Sequence, residues 1–459
     1  MLSRRRFSLG LTSSAFAGLA LSGCTTSGRL GGGRSVAGYG PLQPDPAGLL
    51  DLPQGFSYRV ISKLGDMMDD GFVVPDRADG MGAIPLDNRR VALVRNHELA
   101  VRHMDAGPFR AAAPAGIASF DRAADGRPLP GGTTTIVYDY RAGRVEQQYL
   151  SLIGTIRNCA GGTTPWGSWL TCEEDVTRKG TNGLAQDHGW IFEVPAAERG
   201  LAAPVPLTAM GRFNHEAAAV DPRTGIVYLT EDRDDSLFYR FLPATRGALS
   251  RGGRLQALAW RDRALGADSR NWSGASFTLR EWRDVEWIDV DGVEAPEDDL
   301  RKRGHAKGGV LFARGEGIHF GNGELYFCCT NGGAAKLSQI MRYRPSRFEG
   351  QSSERSSPGR LQLFVESTSP DQLNFGDNIT VAPTGHLIVC EDQYSNSVAN
   401  HLQGITPTGE LYRFARLHAQ TELAGACFSP DGATMFVNVY DPTETLAITG
   451  PWRSFGRQA

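Results

Sequence analysis

The segment Gly167-Ser-Trp-Leu-Thr-Cys-Glu-Glu-Asp175 passes from a tryptophan-containing apolar stretch into one thiol and three consecutive carboxylates. A strand can bury the apolar part, but burying Glu173, Glu174 and Asp175 side by side costs free energy, because like charges repel and lose their hydration. A bound cation would remove both costs. Carboxylates favour hard cations such as Ca²⁺, and the adjoining thiol of Cys172 favours a transition metal such as iron. The alternative is a strand that runs out into a solvated acidic loop, which is the more common context for one isolated Glu-Glu-Asp.

The same arrangement recurs along the chain, which shows almost no sustained helical periodicity. Short runs rich in Val, Ile, Thr, Tyr and Phe alternate with Gly, Pro, Asn and Asp, and the repeated unit is a strand, a tight turn and a second strand with a polar end. Such hairpins are predicted at 83–98, 162–174, 215–232, 317–330, 377–392 and 427–440. A repeated, Gly-turned unit of this kind is typical of a β-propeller. We therefore expect an all-β fold, a six-bladed β-propeller with short helical insertions, one of them within the charged segment 262–303.

The N-terminal residues carry a predicted export signal. Adjacent arginines in Ser3-Arg-Arg-Arg-Phe7 precede a short run of apolar and small residues from Leu9 to Leu21, a combination typical of a twin-arginine signal peptide. Leu21-Ser-Gly-Cys24 resembles a lipoprotein cleavage box, so that Cys24 would become a lipidated N-terminus; alternatively, an ordinary signal is cleaved. We expect a signal peptide at 1–24, a flexible tether at 25–50 and a single β-propeller domain at 51–459, in a periplasmic or cell-envelope lipoprotein.

The amino-acid composition indicates which partners to expect, and the sequence around each cysteine indicates its role. The 459 residues carry a formal charge of −3, and no basic run stands out after the first residues, so nucleic acid is not an expected partner. Of the seven cysteines, Cys390 and Cys427 lie in apolar runs typical of small buried side chains, whereas Cys172 adjoins carboxylates. Disulfide pairing among the cysteines stays open at this point. We expect a monomer that touches the membrane only through Cys24.

Equivalent strand ends of a propeller meet at one mouth of its central channel, so the polar ends of the hairpins are expected to converge there. The candidate residues at or just before these ends are Glu98, Cys172, Glu173, Glu174, His215, Glu216, Glu231, Asp232, Glu316, Asp377, Glu391 and Asp392. So many carboxylates at one mouth would have sharply raised pKa values unless cations neutralised them. Arg314, two residues before Glu316, is suited to grip a phosphate oxygen, although a surface arginine at a strand edge would have a similar context.

Several of these motifs together resemble the PhoX-type bacterial alkaline phosphatases. The resemblance runs from about Leu52 to Pro451. The motifs that carry it are Arg95-Asn-His-Glu98, Trp169-Leu-Thr-Cys-Glu-Glu174, Arg212-Phe-Asn-His-Glu-Ala217, Thr230-Glu-Asp-Arg233, Glu316-Gly317, Gly376-Asp-Asn-Ile379, Ala426-Cys-Phe-Ser-Pro-Asp-Gly432 and Phe436-Val-Asn438.

The resemblance implies a propeller mouth that holds a pair of ferric ions and several Ca²⁺ ions. By this resemblance, Cys172 and nearby carboxylates would bind iron, Glu316 would bind a metal and Arg314 would contact the phosphate. The further iron or calcium ligands that it implies are Glu173, Glu174, Glu216, Glu231, Asp377 and Glu391.

These expectations together predict an enzyme that hydrolyses small phosphate monoesters with an iron and calcium cluster, as an alkaline phosphatase that scavenges phosphate. Metals would polarise the phosphoryl oxygens and supply the nucleophile, since no Ser or Thr stands out, and Arg314 would stabilise the charge of the transferring group. Two alternatives stay open. One is a non-catalytic surface propeller, stabilised by Ca²⁺, that binds a ligand or partner; the other is a different metal-dependent esterase or lactonase on the same fold.

Overall fold

The computed structural model describes residues 38–109, 113–395 and 399–455, and β-strands are their main regular secondary structure. The predicted signal peptide at 1–24, with Cys24, lies outside the described residues. Strands β1–β13 span Leu42–Gln43, Leu50–Pro53, Ser57–Lys63, Ala78–Pro85, Arg90–His97, Gly131–Asp139, Arg144–Thr155, Asn158–Thr163, Ser168–Glu173, Ile191–Pro195, His215–Val220, Val227–Glu231 and Tyr239–Pro243. Strands β14–β26 span Gly253–Trp260, Trp282–Asp289, Gly315–Gly321, Glu324–Cys329, Gln339–Arg344, Arg360–Glu366, Gly376–Val381, Leu387–Glu391, His401–Ile405, Leu411–Leu417, Leu423–Phe428, Thr434–Val439 and Glu444–Thr449.

Helical structure is sparse in the described residues. The α-helix α1 spans Leu300–Ala306. Short 3-10 helices lie at Val101–Ala106, Thr181–Gly183, Thr208–Met210, Leu249–Arg251, Ser352–Ser356 and Trp452–Ser454. No helix in the described ranges has both the length and the apolar character that crossing a bilayer requires.

The strands form antiparallel sheets whose order follows the chain, which makes the fold all-β and propeller-like. Strands β4–β7 form one sheet, β8–β10 a second, and β24–β26 a third that β3 completes. Strands β20–β23 form a fourth sheet together with β1 and β2. The remaining strands form one nine-stranded sheet, because β15 pairs with both β14 and β19 and so joins the groups β11–β14 and β16–β19. The predicted number of six blades therefore stays a prediction.

Strands from the beginning of the described chain complete sheets formed near its end. Strand β3 pairs along β26, and β2 pairs with β23 through Leu50 and Leu417. These contacts cover backbone edges that would otherwise be open to pairing with other chains. Part of the segment expected to be a flexible tether is therefore paired: β1 lies within 25–50, and Tyr39 packs its ring against Phe56 and Trp452.

The charged segment 262–303 differs from the expected helical insertion. It contains β15, in which Val285 and Ile288 are buried, and only the start of α1. Burial of Val285 and Ile288 against the two adjoining groups of strands explains why this segment extends a sheet.

The first strands of neighbouring sheets approach each other closely, and glycine permits this approach. A Cβ atom on Gly162 in β8 would lie 1.8 Å from the carbonyl oxygen of Ala218 in β11. A Cβ atom on Gly161 would lie 1.9 Å from the carbonyl oxygen of Leu170 within the same sheet. The ends of these first strands are thereby brought near to one another, which is what positions the site.

Candidate active site

A polar cavity of about 780 Å³ lies where the first strands of several sheets begin. In five hairpins the residue that begins the first strand pairs with the residue that ends the second strand, and a bulge follows in the first strand. The pairs are Ala78 with His97, Asn158 with Glu173, His215 with Glu231, Gly315 with Cys329, and Gly376 with Glu391. Because side chains alternate between the faces of a strand, the residues next to these pairs, and not the paired residues, face the cavity.

Nine of those neighbouring residues line the cavity. From the first strands they are Asp79, Cys159, Glu216, Glu316 and Asp377. From the ends of the second strands they are Glu98, Glu174, Asp232 and Asp392. Glu422 and Tyr440 line the cavity from the flanks of β24 and β25. Side chains from successive hairpins along the chain thus converge on one cavity.

Three overlapping groups of these side chains are suited to hold cations, since the ligand atoms within each group all lie within 4.8 Å of one another. The groups are Cys159 with Glu174 and Glu216, Glu216 with Glu316 and Asp377, and Asp377 with Asp392 and Glu422. Glu216 and Asp377 each belong to two groups. The donors therefore form a continuous chain across the cavity rather than separate sites.

Burial and mutual repulsion oppose ionisation of these donors. Burial raises the pKa of Glu216 well above its ordinary value, and the carboxylates of Glu316 and Asp377 raise it further. Burial and the carboxylate of Asp392 raise the pKa of Asp377 to about 7. The pKa of the Cys159 thiol is raised by burial and then by Glu216. A bound cation would reverse these shifts, because it favours the charged form of each ligand.

Arginines neutralise only part of this charge. Arg157 donates from Nε to Oε1 of Glu98 at 2.7 Å and also pairs with Glu174. Within the described ranges, the cavity carboxylates that form no ion pair are Asp79, Asp175, Glu216, Asp377, Asp392 and Glu422. Oδ1 of Asp79 is buried and has no hydrogen-bond partner among the described residues. The surrounding protein therefore leaves part of the negative charge of these carboxylates unpaired, and bound cations would neutralise it.

Arg314 is held rigidly at this cavity. Its Nε donates to Oδ1 of Asp232 at 2.7 Å, its Nη2 donates to Oδ2 of the same carboxylate at 2.9 Å, and Nη2 lies 3.0 Å from Oε1 of Glu316. No described residue accepts a hydrogen bond from Nη1. Its backbone adopts a left-handed φ of 50°, a conformation that non-glycine residues seldom occupy. This bidentate grip fixes the guanidinium plane and leaves one edge available for an anion.

The structure brings together Glu174, Glu216, Glu316, Asp377 and Arg314 of the predicted site residues, but it places the predicted iron ligand Cys172 elsewhere. Cys172 is fully buried in an apolar cluster with Leu170 and Ile191, and its thiol pKa is raised by burial alone. The thiol that lines the cavity is that of Cys159, which lies on β8 opposite the end of β9.

Three predicted carboxylate ligands also need correction, because each is the paired residue of a strand end and faces away from the cavity lining. Glu173 accepts hydrogen bonds from the backbone nitrogens of Ile156 and Gly189 and contacts Nδ1 of His188 at 2.7 Å.

Glu231 accepts a hydrogen bond from the hydroxyl of Tyr239 at 2.9 Å. Glu391 accepts from the backbone nitrogen of Asn374 at 3.0 Å and contacts Nδ1 of His401 at 2.8 Å. His215, a further candidate, contacts the carbonyl oxygen of Gly211 through Nε2 at 2.8 Å. These side chains tie the strand ends to adjoining loops or, for Glu231, to the start of β13.

Asp79, Cys159 and Glu422 were not singled out as ligands from the sequence. Two of them share a signal with Glu316: an arginine, one further residue and then a candidate ligand, as in Arg77-Ala-Asp79, Arg157-Asn-Cys159 and Arg314-Gly-Glu316. The three arginines share a left-handed backbone, with φ values of 54°, 47° and 50°. This recurring Arg-x-ligand motif marks the beginning of a first strand. Glu422 carries no such signal.

All six cysteines of the described residues are free and buried, so none of them forms a disulfide.

The sequence matches the family described as alkaline phosphatase PhoX over residues 37–136 and 139–443. No curated protein matches the chain. Among solved structures, PhoX of Pseudomonas fluorescens, in complex with vanadate, a transition state analogue, matches with a TM-score of 0.67 at 19% identity, covering 92% of this chain and 98% of that one. At that identity the match shows a shared fold.

A gluconolactonase of Xanthomonas campestris matches with a TM-score of only 0.42 at 13% identity, over 90% of this chain and 98% of that one, which is too weak to bear on function. The family match, by contrast, spans most of the sequence. The chain therefore belongs to the alkaline phosphatase PhoX family.

Proposed function

We propose that this protein hydrolyses phosphate monoesters in the acidic cavity and that the cavity holds iron and calcium ions. The observation that carries the proposal is the chain of overlapping donor groups beside an arginine with a free edge. A cation cluster attracts phosphoryl oxygens, and a fixed guanidinium beside it can bind the same group. Membership of the alkaline phosphatase PhoX family supports this assignment.

The chemistry of the donors suggests how the two metals are distributed. Cys159, Glu174 and Glu216 combine a thiol with carboxylates and suit iron, because a soft sulfur ligand selects a transition metal. The group of Asp377, Asp392 and Glu422 offers only carboxylate oxygens, which Ca²⁺ prefers. Glu316 joins the two groups through Glu216 and Asp377 and is placed to contact either kind of ion.

The chain's own residues would orient and stabilise the phosphoryl group. When bound, cations at these donors polarise phosphoryl oxygens and activate a nucleophile. Arg314 binds a phosphoryl oxygen through its free edge, while Asp232 and Glu316 prevent the guanidinium from turning away. A donor that is already fixed costs little reorganisation when charge develops on the equatorial oxygens, so Arg314 favours the transition state over the bound ester.

The test is hydrolysis of 4-nitrophenyl phosphate by protein loaded with iron and Ca²⁺, together with elemental analysis of the same sample. Chelation is expected to abolish turnover and reloading to restore it. Glu316→Gln is expected to lose both metal and turnover. The matched control is Glu193→Gln, because Glu193 lies outside the cavity and its hydrogen bonds from Trp166 and Ser168 can be kept by an amide oxygen.

Turnover that survives both chelation and Glu316→Gln would contradict the proposal. A protein that binds calcium without iron and hydrolyses no ester would instead favour a binding propeller.

We also propose that the enzyme acts outside the cytoplasm, as a periplasmic or cell-envelope lipoprotein. The support is the run of adjacent arginines in Ser3-Arg-Arg-Arg-Phe7 and the cleavage box that ends at Cys24. Arg4→Lys combined with Arg5→Lys is expected to retain the protein in the cytoplasmic fraction of an expressing cell. Cys24→Ala is expected to release it from the membrane fraction. Unchanged fractionation of both variants would contradict the proposed location.

A further inference from the structure

A fourth arginine lines the cavity at its rim, and the phosphoryl chemistry does not use it. Arg102 lies on the 3-10 helix Val101–Ala106, which follows Glu98 in the chain. The other cavity arginines are paired: Arg77 with Asp441, Arg157 with Glu98 and Glu174, and Arg314 with Asp232 and Glu316. Arg102 is exposed, and no described residue forms an ion pair or a side-chain hydrogen bond with it.

The backbone around Arg102 is fixed to the site although its side chain is not. The backbone nitrogen of Arg157 donates to the carbonyl oxygen of Leu99 at 3.1 Å, and that of Glu98 donates to the carbonyl oxygen of Arg77 at 2.9 Å. The backbone nitrogen of Ala100 donates to Nδ1 of His103 at 3.1 Å. The short helix is therefore tied to two arginines that begin first strands, so Arg102 keeps a constant place relative to the metal donors.

The positive charge of Arg102 affects a titratable group at the rim of the cavity. His103, beside it, has a pKa lowered first by burial and then by the charges of Arg77 and Arg102. Asp441 is a carboxylate of the cavity lining, but it is paired with another arginine: Nη2 of Arg77 lies 3.3 Å from its Oδ2. The rim thus presents a guanidinium without a counter-charge, next to a cavity that accepts an anionic ester.

We propose that Arg102 binds a second anionic group on the leaving group of the substrate, so that phosphate monoesters carrying an additional carboxylate or phosphate are preferred. This inference rests on the proposed function, because it assigns the substrate class of the same cavity. Arg102 is a specificity residue: it contacts the part of the ester that leaves, whereas Arg314 contacts the part that reacts. Guanidinium recognises both kinds of anion with paired N–H donors.

The first test compares 4-carboxyphenyl phosphate with 4-carbamoylphenyl phosphate, which have similar shapes and differ by one charge. At low ionic strength the metal-loaded wild type is expected to favour the carboxylate ester in kcat/KM by about threefold, as for an exposed ion pair. Arg102→Ala is expected to bring this ratio to one or below, mainly through a higher KM for the carboxylate ester. Arg102→Lys should retain part of the preference, and added salt should reduce it in the wild type.

The matched control is Arg251→Ala, since Arg251 is also exposed and without an ion pair in the described residues but lies outside the cavity lining. It is expected to keep the wild-type ratio. Equal ratios in the wild type and Arg102→Ala would overturn the assignment, as would a loss of preference in Arg251→Ala.

A binding measurement separates failure of this inference from failure of the proposed function. Calorimetry with 4-carboxybenzylphosphonate and benzylphosphonate requires no turnover. If no ester is hydrolysed but the wild type still binds the carboxylated phosphonate more tightly and Arg102→Ala does not, the subsite stands and the phosphatase proposal fails. If both esters are hydrolysed equally well and both phosphonates bind equally, the phosphatase stands and the role of Arg102 is overturned.

Discussion

Arg314 combines an uncommon backbone conformation with two anchoring carboxylates, and this combination explains why an arginine is needed at that position. A left-handed φ of 50° directs the side chain across the cavity, and Asp232 accepts two of its hydrogen bonds. A lysine at the same place would carry the charge but could not keep the two-point contact with Asp232 while offering a further donor to phosphate.

We expect Arg314→Ala to lower kcat for 4-nitrophenyl phosphate by about 10²-fold, the usual cost of removing a fixed donor to developing charge. Arg314→Lys should recover only a small part of that loss. The measurement is steady-state kinetics on protein of verified metal content, with Arg254→Lys, an exposed arginine paired with Asp289, as the control. Turnover within threefold of the wild type in Arg314→Ala would exclude a direct role for this side chain.

At the scale of the strand ends, the two residues of each acidic pair have different roles. The first residue of Glu173-Glu174, Glu231-Asp232 and Glu391-Asp392 ties its own hairpin to a neighbouring loop or strand, and the second lines the cavity. Alternation along the strand produces this division, since adjacent side chains point to opposite faces.

That alternation also sets the limit of prediction from sequence. The hairpins ending near Glu98, Glu174, Asp232 and Asp392 can be recognised from composition and turn residues, and so can their convergence. Which member of an acidic pair faces the cavity depends on the pairing register of its strand, which must be known to a single residue. A bulge in the partner strand shifts this register.

Cys159 and Cys172 illustrate the same limit. Cys172 adjoins carboxylates in the sequence, yet its thiol points into an apolar cluster, whereas Cys159 reaches the carboxylates of Glu174 and Glu216 only through the fold. Adjacency in sequence therefore favoured a thiol that does not line the cavity. The Arg-x-ligand motif at the start of β8 is the local signal that would have favoured Cys159.

The anchoring role of the first acidic residue is testable with Glu391→Ala. Removing this carboxylate leaves the buried backbone nitrogen of Asn374 and the ring of His401 without their partner, which should lower the free energy of unfolding by about 1–3 kcal/mol. Urea unfolding of metal-free protein measures the change, with the exposed Glu294→Ala as control. Iron content should persist in the folded variant; a loss of iron without a loss of stability would make Glu391 a ligand after all.

At the scale of the whole molecule, the cavity makes stability depend on bound metal and on pH together. The folded pKa of Asp377 is raised to about 7, above its ordinary value, by burial and by Asp392. A group with a raised folded pKa contributes its full stability below the unfolded pKa and loses it as the pH rises through the folded value. The pKa values of Glu216 and Glu316 are raised in the same direction, so the effects reinforce one another.

We therefore expect the Tm of the chelated protein to fall as the pH rises from about 5 to about 8, the window that contains the raised pKa of Asp377. The Tm of the metal-loaded protein should fall much less over this range, because bound cations favour the ionised carboxylates. Glu216→Gln should flatten the profile of the chelated protein, since it removes one of the repelling charges. Parallel pH profiles for chelated and loaded protein would show that the acidic cavity does not take up cations.

The most direct test of the central claim, that carboxylates from successive hairpins gather around metal together with the thiol of Cys159, is the iron content of two single variants. Cys159→Ser and Cys172→Ala are purified in parallel, loaded with iron and Ca²⁺, and measured by elemental analysis per folded chain. Cys159→Ser is expected to lose most of its iron while Cys172→Ala keeps the wild-type amount, because only Cys159 lies among the cavity donors. Full iron in Cys159→Ser, or loss of iron confined to Cys172→Ala, would contradict the claim.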